Sequence, residues 1–241
     1  MNDLWAGILQ GATLVLILVL LYRPLGDAMA LVYTSPRHLR VERGLYRLFG
    51  VDPESEQTWR AYARGLLLFS AGGMLAVYLL QRMQSLLPYS LGLPPVPPGL
   101  AFNTAASFVA NTNWQSYSPE QTVGFIVQAA GLAVQNFLSA AVGIAVAIAL
   151  VRGFARRGSG TIGNFWVDTT RGAVRLLLPI AVLGAVALIA GGVVQNLTGV
   201  TEVHTLAGGT QHIPGGPTAS QEVIKLLGTN GGGFFNANSA H

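Results

Sequence analysis

The chain has 241 residues, a formal net charge of +4, 51% hydrophobic and only 10% charged residues, against about 25% charged in an average soluble domain. So few charges cannot clothe the surface of a water-soluble fold of this length, which leaves a membrane protein. There is no cysteine, so a disulfide framework and a thiolate metal centre are both excluded.

Four apolar stretches, 4–22, 65–81, 123–151 and 173–194, are predicted to cross the bilayer as helices. The first is uncharged and runs into Arg23-Pro24. A signal peptide would need a basic leading region and a small-residue cleavage site, and neither is there, so this is expected to be a retained helix. The third, at about 43 Å as a helix, exceeds a hydrocarbon core of about 30 Å and is expected to tilt. Ser118-Pro-Glu-Gln121 predicts its start, with a capping hydroxyl, a proline at the first helical position and a glutamine at the box position. The fourth is interrupted only by Arg175.

The arginines set the orientation. Arg23, Arg37, Arg40, Arg43, Arg47, Arg60 and Arg64 fall in 23–64, and Arg152, Arg156, Arg157 and Arg171 in 152–172. The opposite connections, 83–122 and 195–217, carry only Glu120 and Glu202 as charges. Both arginine-rich segments are therefore expected to be cytoplasmic, with the N-terminus and the other connections outside.

Both outer connections share a plan. Pro94-Pro-Val-Pro-Pro-Gly99 is a stiff turn region, and the apolar residues after it make a helix of about 16 Å, half a bilayer. The polar run Asn111-Thr-Asn-Trp-Gln-Ser116 follows, so 100–117 reads as a half-helix and loop. In the second connection Thr218-Ala-Ser-Gln221 predicts a capping box, 219–227 a short helix, and Gly228-Thr-Asn-Gly-Gly-Gly-Phe-Phe-Asn236 a loop, together 218–236. Matching Thr112-Asn113 to Thr229-Asn230 gives an internal repeat of roughly 117 residues, of the kind common in transporters.

These loops offer neutral oxygens at the C-terminal ends of half-helices, where the helix dipole favours a cation. Neither contains Asp or Glu, which disfavours a divalent ion, and glycines let the backbone itself line a path. A weakly hydrated monovalent cation such as K+ fits best. Trp114 is expected to pack behind the first loop, and Phe234 and Phe235 to form walls. Lys225 would face solvent, sit at a subunit contact or neutralise the site. No lysine follows the glycine run and no Asp-Lys-Thr-Gly occurs, so no ATP is expected to bind to this chain and no catalytic residue stands out. All four histidines lie outside the spans, which disfavours a haem-carrying respiratory subunit.

Four segments carry a family resemblance: Phe108-Val-Ala-Asn-Thr-Asn-Trp-Gln-Ser-Tyr-Ser118, Val134-Gln-Asn-Phe-Leu-Ser-Ala-Ala141, Gly163-Asn-Phe-Trp-Val-Asp168 and Leu227 to His241. The chain resembles the potassium-binding A subunit of bacterial Kdp-type potassium-transporting ATPases, within the superfamily of potassium transporters. The resemblance implies an all-α multi-pass membrane protein: an extra N-terminal helix, then membrane-pore-membrane repeats with re-entrant half-helices. It implies a bacterial inner-membrane location and passage of K+ from outside to a P-type ATPase partner, with a small single-span subunit and a short membrane peptide completing the complex. Carried over residue by residue, the selectivity filter falls on Asn111, Thr112, Asn113 and Gln115, and on Thr229, Asn230, Gly231, Gly232 and Gly233. The family continues through two further repeats beyond His241, so the chain is expected to be the N-terminal part of a longer protein or a shortened product that does not conduct unaided. The alternative is a passive or ion-coupled potassium channel acting as a dimer, which would supply four loops from two copies.

Overall fold

The computed structural model describes residues 3–156, 158 and 160–236; Arg157 and the 237–241 end of the last motif, His241 included, lie outside the described residues. Helix α1, Asp3–Thr34, runs through Pro24 without ending. A proline removes one hydrogen bond, whereas stopping a helix in apolar surroundings would strand several backbone groups. Only Tyr33 on α1 is buried, so its attachment to the rest is at its C-terminal end.

A short helix, α2 (Arg40–Leu48), follows on the arginine-rich side, a feature not anticipated from the sequence. The Leu39 N–H donates to Glu42 Oε2 at 2.8 Å and so closes its first turn. Helix α3 is Trp59–Arg82, with the Thr58 hydroxyl capping it. Helix α4, Pro98–Val109, starts at a proline, where the missing N–H costs nothing.

The expected start of the third span is corrected here. Ser118 opens only a one-turn helix, α5 (Pro119–Thr122), and makes no side-chain cap. The chain then bends at Gly124, whose Cα lies so close to the Tyr89–Ser90 backbone that a Cβ would come within 2.7 Å. The buried Gln84 holds that bend, accepting from the Gly124 N–H and donating to the Thr122 carbonyl at 2.9 Å. The long helix begins beyond it as a π-helical stretch, Val127–Ala133, and continues as α6, Val134–Ala155.

Helix α7, Phe165–Arg171, is capped by Asn164, whose side-chain oxygen accepts from the Trp166 and Val167 N–H groups. It passes through a second π-helical stretch, Gly172–Leu177, into α8, Leu178–Ala190. A two-stranded antiparallel hairpin follows, β1 (Val200–His204) on β2 (Thr210–Pro214), with Val200 opposite Pro214. The sequence reading had an all-α chain, and this small hairpin is the addition to it. Helix α9 is Thr218–Leu227 with Pro217 at its N-cap, so the expected capping box does not form.

Each half-helix leans on the span before it, α4 on α3 and α9 on α8, and α6 stands between the two pairs. Phe108, Ala101 and Ala105 of α4 pack with Val77 of α3 and Leu132 of the first π-helical stretch. On the other pair, a Cβ at Gly184 of α8 would sit 2.7 Å from Val223 of α9, so only glycine allows that approach.

The arginine-rich side is stapled by ion pairs. Arg152 meets Asp168 at 2.6 Å, and the Tyr62 hydroxyl donates to the same carboxylate at 3.2 Å. Arg171 donates to the Ser35 carbonyl at 2.7 Å. Arg175 grips both oxygens of the fully buried Glu42 at 2.5 Å and the Arg37 carbonyl at 2.6 Å. Burial alone would push the Glu42 carboxyl up, but the Arg175 fork and the Leu39 N–H outweigh it and hold it below the ordinary range. Arg152, Arg171 and Arg175 thus tie α1, α2, α6 and α7 together.

Candidate ion-binding site

Helices α4 and α9 end in the same way. The Thr112 N–H returns to the Ser107 carbonyl at 3.1 Å, and the Asn230 N–H to the Lys225 carbonyl at 3.0 Å. The residue before each is left-handed, Asn111 at φ 61° and Thr229 at φ 56°, the closure that satisfies a helix's last carbonyls. This pairs Asn111 with Thr229, one residue away from the register suggested by matching Thr112-Asn113 to Thr229-Asn230. Helix closure sets the register, and shared residue names do not. Asparagine tolerates φ > 0, whereas a β-branched threonine is strained there.

The two loops touch. Asn111 Nδ2 donates to the Gly228 carbonyl at 3.2 Å, and Asn230 Nδ2 reaches Asn113 Oδ1 at 3.0 Å and also Asn111 Oδ1. Gln115 Oε1 accepts from the Gly233 N–H at 2.9 Å. The Thr112 carbonyl lies 2.5 Å from where a Gly231 Cβ would be, and a Cβ at Gly232 would lie 2.9 Å from both the Asn113 carbonyl and Gln115 Oε1. All nine residues expected at the site, Asn111, Thr112, Asn113, Gln115, Thr229, Asn230, Gly231, Gly232 and Gly233, therefore lie in one pair of facing loops. Within it Thr112, Thr229 and Gly231 are exposed, while Asn113, Gly232 and Gly233 are buried.

One neighbour differs from expectation, and a second loses one of its three readings, exposure to solvent. Trp114 is 76% exposed and does not pack behind the loop, because its flanking residues Asn113 and Gln115 take the contacts with the second loop. Lys225 is buried and 3.1 Å from the Glu222 carboxylate, one turn back on α9. Glu222 had drawn no notice in the sequence, since a lone carboxylate on a short helix reads as a solvated face. Phe234 is buried against Phe125 at 6.2 Å between ring centres.

A second layer of uncharged polar groups supports the loops. Asn136 Oδ1 receives Asn113 Nδ2 at 2.5 Å, and the Ser139 hydroxyl donates to Asn111 Oδ1 at 2.7 Å. Gln128, in the first π-helical stretch, donates to the Phe234 carbonyl at 3.3 Å and accepts from Gln221 of α9 at 3.0 Å. Their sequence signal was available: buried amides inside an apolar span are costly and are kept for a reason. Among these donors and acceptors, Asn230 Oδ1 and Gln221 Oε1 are buried oxygens with no hydrogen-bond donor, and Asn136 Nδ2 is buried with no acceptor. An unpaired buried oxygen costs about 1 to 3 kcal/mol, and a dehydrated cation would satisfy it.

Four long apolar helices, with two half-crossing helices whose neutral polar ends meet between them, define a multi-pass helical membrane protein. Residues 12–241 match the family described as Potassium-transporting ATPase A subunit, and the chain belongs to that family. It is 71% identical over 239 residues to the potassium-transporting ATPase potassium-binding subunit of Clavibacter sepedonicus, covering 99% of this chain and 43% of that protein. The subunit of the same name from Streptomyces coelicolor is 61% identical over 241 residues, covering 100% of this chain and 44% of that protein. That of Mycobacterium avium is 60% identical over 244 residues, with the same two coverages, 100% and 44%. The chain thus spans less than half the length of the curated relatives it matches.

Proposed function

We propose that the chain is part of the potassium-selecting membrane subunit of an ATP-driven K+ import complex in a bacterial inner membrane. K+ enters from the side of the two half-helices, is stripped of water at Asn111, Thr112, Asn113, Gln115, Thr229, Asn230, Gly231, Gly232 and Gly233, and passes on to a P-type ATPase partner. A small single-span subunit and a short membrane peptide complete the assembly. The arginine-rich segments 23–64 and 152–172 face the cytoplasm, with the N-terminus outside. Spans 4–22, 65–81, 123–151 and 173–194 and the re-entrant segments 100–117 and 218–236 divide the chain.

One observation carries the ion reading. Two loops closing the C-terminal ends of half-helices meet through neutral amides and backbone, and leave the buried Asn230 Oδ1 without a donor. Both helix dipoles turn their negative ends to this point, and the one carboxylate on α9 near it is balanced by Lys225. Cation selection by oxygens in place of a hydration shell follows the logic of channel filters.

The test uses the full-length subunit in its complex. Gly232→Asp introduces a Cβ and a charge where the Asn113 carbonyl and Gln115 Oε1 already crowd the glycine, and Gln115→Arg puts a fixed cation at the same contact. Both should weaken K+-dependent uptake against a sodium background. Uptake of unchanged affinity in both variants would remove these loops from the ion path.

A further inference from the structure

An apolar cleft of about 530 Å³ opens between α2 and the spans, within the range of about 300–1,000 Å³ typical of ligand sites. Leu45 of α2 and Phe49 just after it form one wall, and Phe69 and Gly72 of α3, Leu138 of α6 and Trp166 of α7 form the others. It lies on the seam where α3, the first span of one repeat, meets α7, which opens the next. A Cβ at Gly72 would meet nothing within 4 Å, so this glycine borders open space and not a packed neighbour. A cavity with such a lining offers water few partners, and it suits a hydrocarbon chain.

The surface of α2 specifies what kind of molecule brings that chain. Arg40, Arg43 and Arg47 stand at helical spacing and are all exposed. Glu42, the acid on the same helix, is already held by Arg175 and turned inward. The acids that follow are Asp52, whose Oδ1 accepts from the Glu54 N–H at 3.1 Å, and Glu54, which meets His38 at 3.3 Å. Beside the arginine row Val41 and Leu48, and Phe49 at the end of the helix, are exposed, and basic and apolar side chains together along one short segment next to a span suit a bilayer surface with anionic headgroups.

We propose that α2 lies in the surface of the arginine-side leaflet and that the cleft behind it holds an acyl chain of an anionic phospholipid, whose phosphate is recruited by Arg40, Arg43 and Arg47. The site is separate from the facing loops, and potassium enters nowhere in its test.

Trp166 lines the cleft and supplies the probe. In the full-length complex, Trp5, Trp59 and Trp114 of this chain, and any tryptophans of the other subunits, are replaced by phenylalanine. The assembly is then placed in phosphatidylcholine nanodiscs with a minor fraction of brominated-chain phosphatidylglycerol or brominated-chain phosphatidylcholine. The glycerol lipid should quench Trp166 more strongly at equal fraction. Replacing Arg40, Arg43 and Arg47 in turn by glutamine should lower that preference by about five-fold for each arginine lost. Gly72→Leu should abolish quenching by both lipids while leaving Trp166 emission in unbrominated discs unchanged. Equal quenching by the two lipids in the parent overturns the headgroup assignment. Quenching that survives Gly72→Leu, or is missing from the parent because a protein segment fills the space, overturns the cleft assignment.

Discussion

The buried polar groups of the two facing loops and those of the arginine side follow opposite rules; the buried Lys225–Glu222 pair on α9 is a charged exception beside the loops. At the facing loops they are neutral amides, hydroxyls and backbone, as in Asn113 on Asn136 and Asn230 on Asn113. On the arginine side they are charged pairs, Arg152 with Asp168 and Arg175 with Glu42. A charged pair satisfies itself and has no further call for a partner, so it fastens helices. Neutral oxygens hold each other weakly enough that a dehydrated ion competes for them, so they suit a site through which something must pass.

The largest effect expected is on the fastened side. Asp168→Ala leaves the partly buried Arg152 without its anion, at a cost approaching that of breaking a fully buried pair, about 3 to 5 kcal/mol. A thermal unfolding midpoint of the complex in detergent should fall sharply, with the K+ affinity of the surviving fraction unchanged. A matching loss of affinity would dissolve the distinction between the two sides.

Asn136→Leu tests the other side. It removes the acceptor for Asn113 and strands a buried amide, at about 1 to 3 kcal/mol. Here the discrimination between K+ and Na+ in uptake should weaken along with stability, and Asn136→Asp should restore part of it by keeping the oxygen. Thr229→Asn addresses the strained closure of α9. Asparagine at φ 56° should relieve about 1 kcal/mol, read as a raised unfolding midpoint. A lowered midpoint would mean that the threonine methyl or hydroxyl makes up for the strain.

The smallest effect concerns pH. Because the folded Glu42 carboxyl is held below its ordinary range, its contribution to stability is complete above that range. It is lost as the pH falls through the ordinary range toward the depressed value. The protection of α2 amides against hydrogen exchange, taken relative to the intrinsic rate at each pH, should therefore fall on acidification, and Glu42→Gln should make that protection low and nearly independent of pH. The facing loops contain no carboxylate and should show no such acid step.

Much of the fold was legible because membrane helices announce themselves by unbroken apolar length. The half-helices were legible because they are too short to cross and end in polar runs. Local signals did less well where the tertiary structure competed with them. Ser118 and Thr218 both carried capping patterns, and neither caps, since Gly124 bends the chain against Tyr89–Ser90 in one case and Pro217 takes the N-cap in the other. At the candidate site, the nine loop residues were expected as a set and lie together in the fold, but the neighbouring Asn136, Ser139, Gln128 and Gln221 were not expected there. Nothing in their linear positions says which loop they will meet.

By itself the sequence determined that the chain lives in a membrane, where it is apolar enough to cross, and that two of its loops offer uncharged oxygens. Composition and length settle these because the bilayer admits so few solutions. The tertiary structure alone decided that the loops face each other, that their helix closures align Asn111 with Thr229, and that Arg152, Arg171 and Arg175 act as fasteners. Those depend on which helices pack together, and packing is a property of shapes meeting in space across more than a hundred intervening residues.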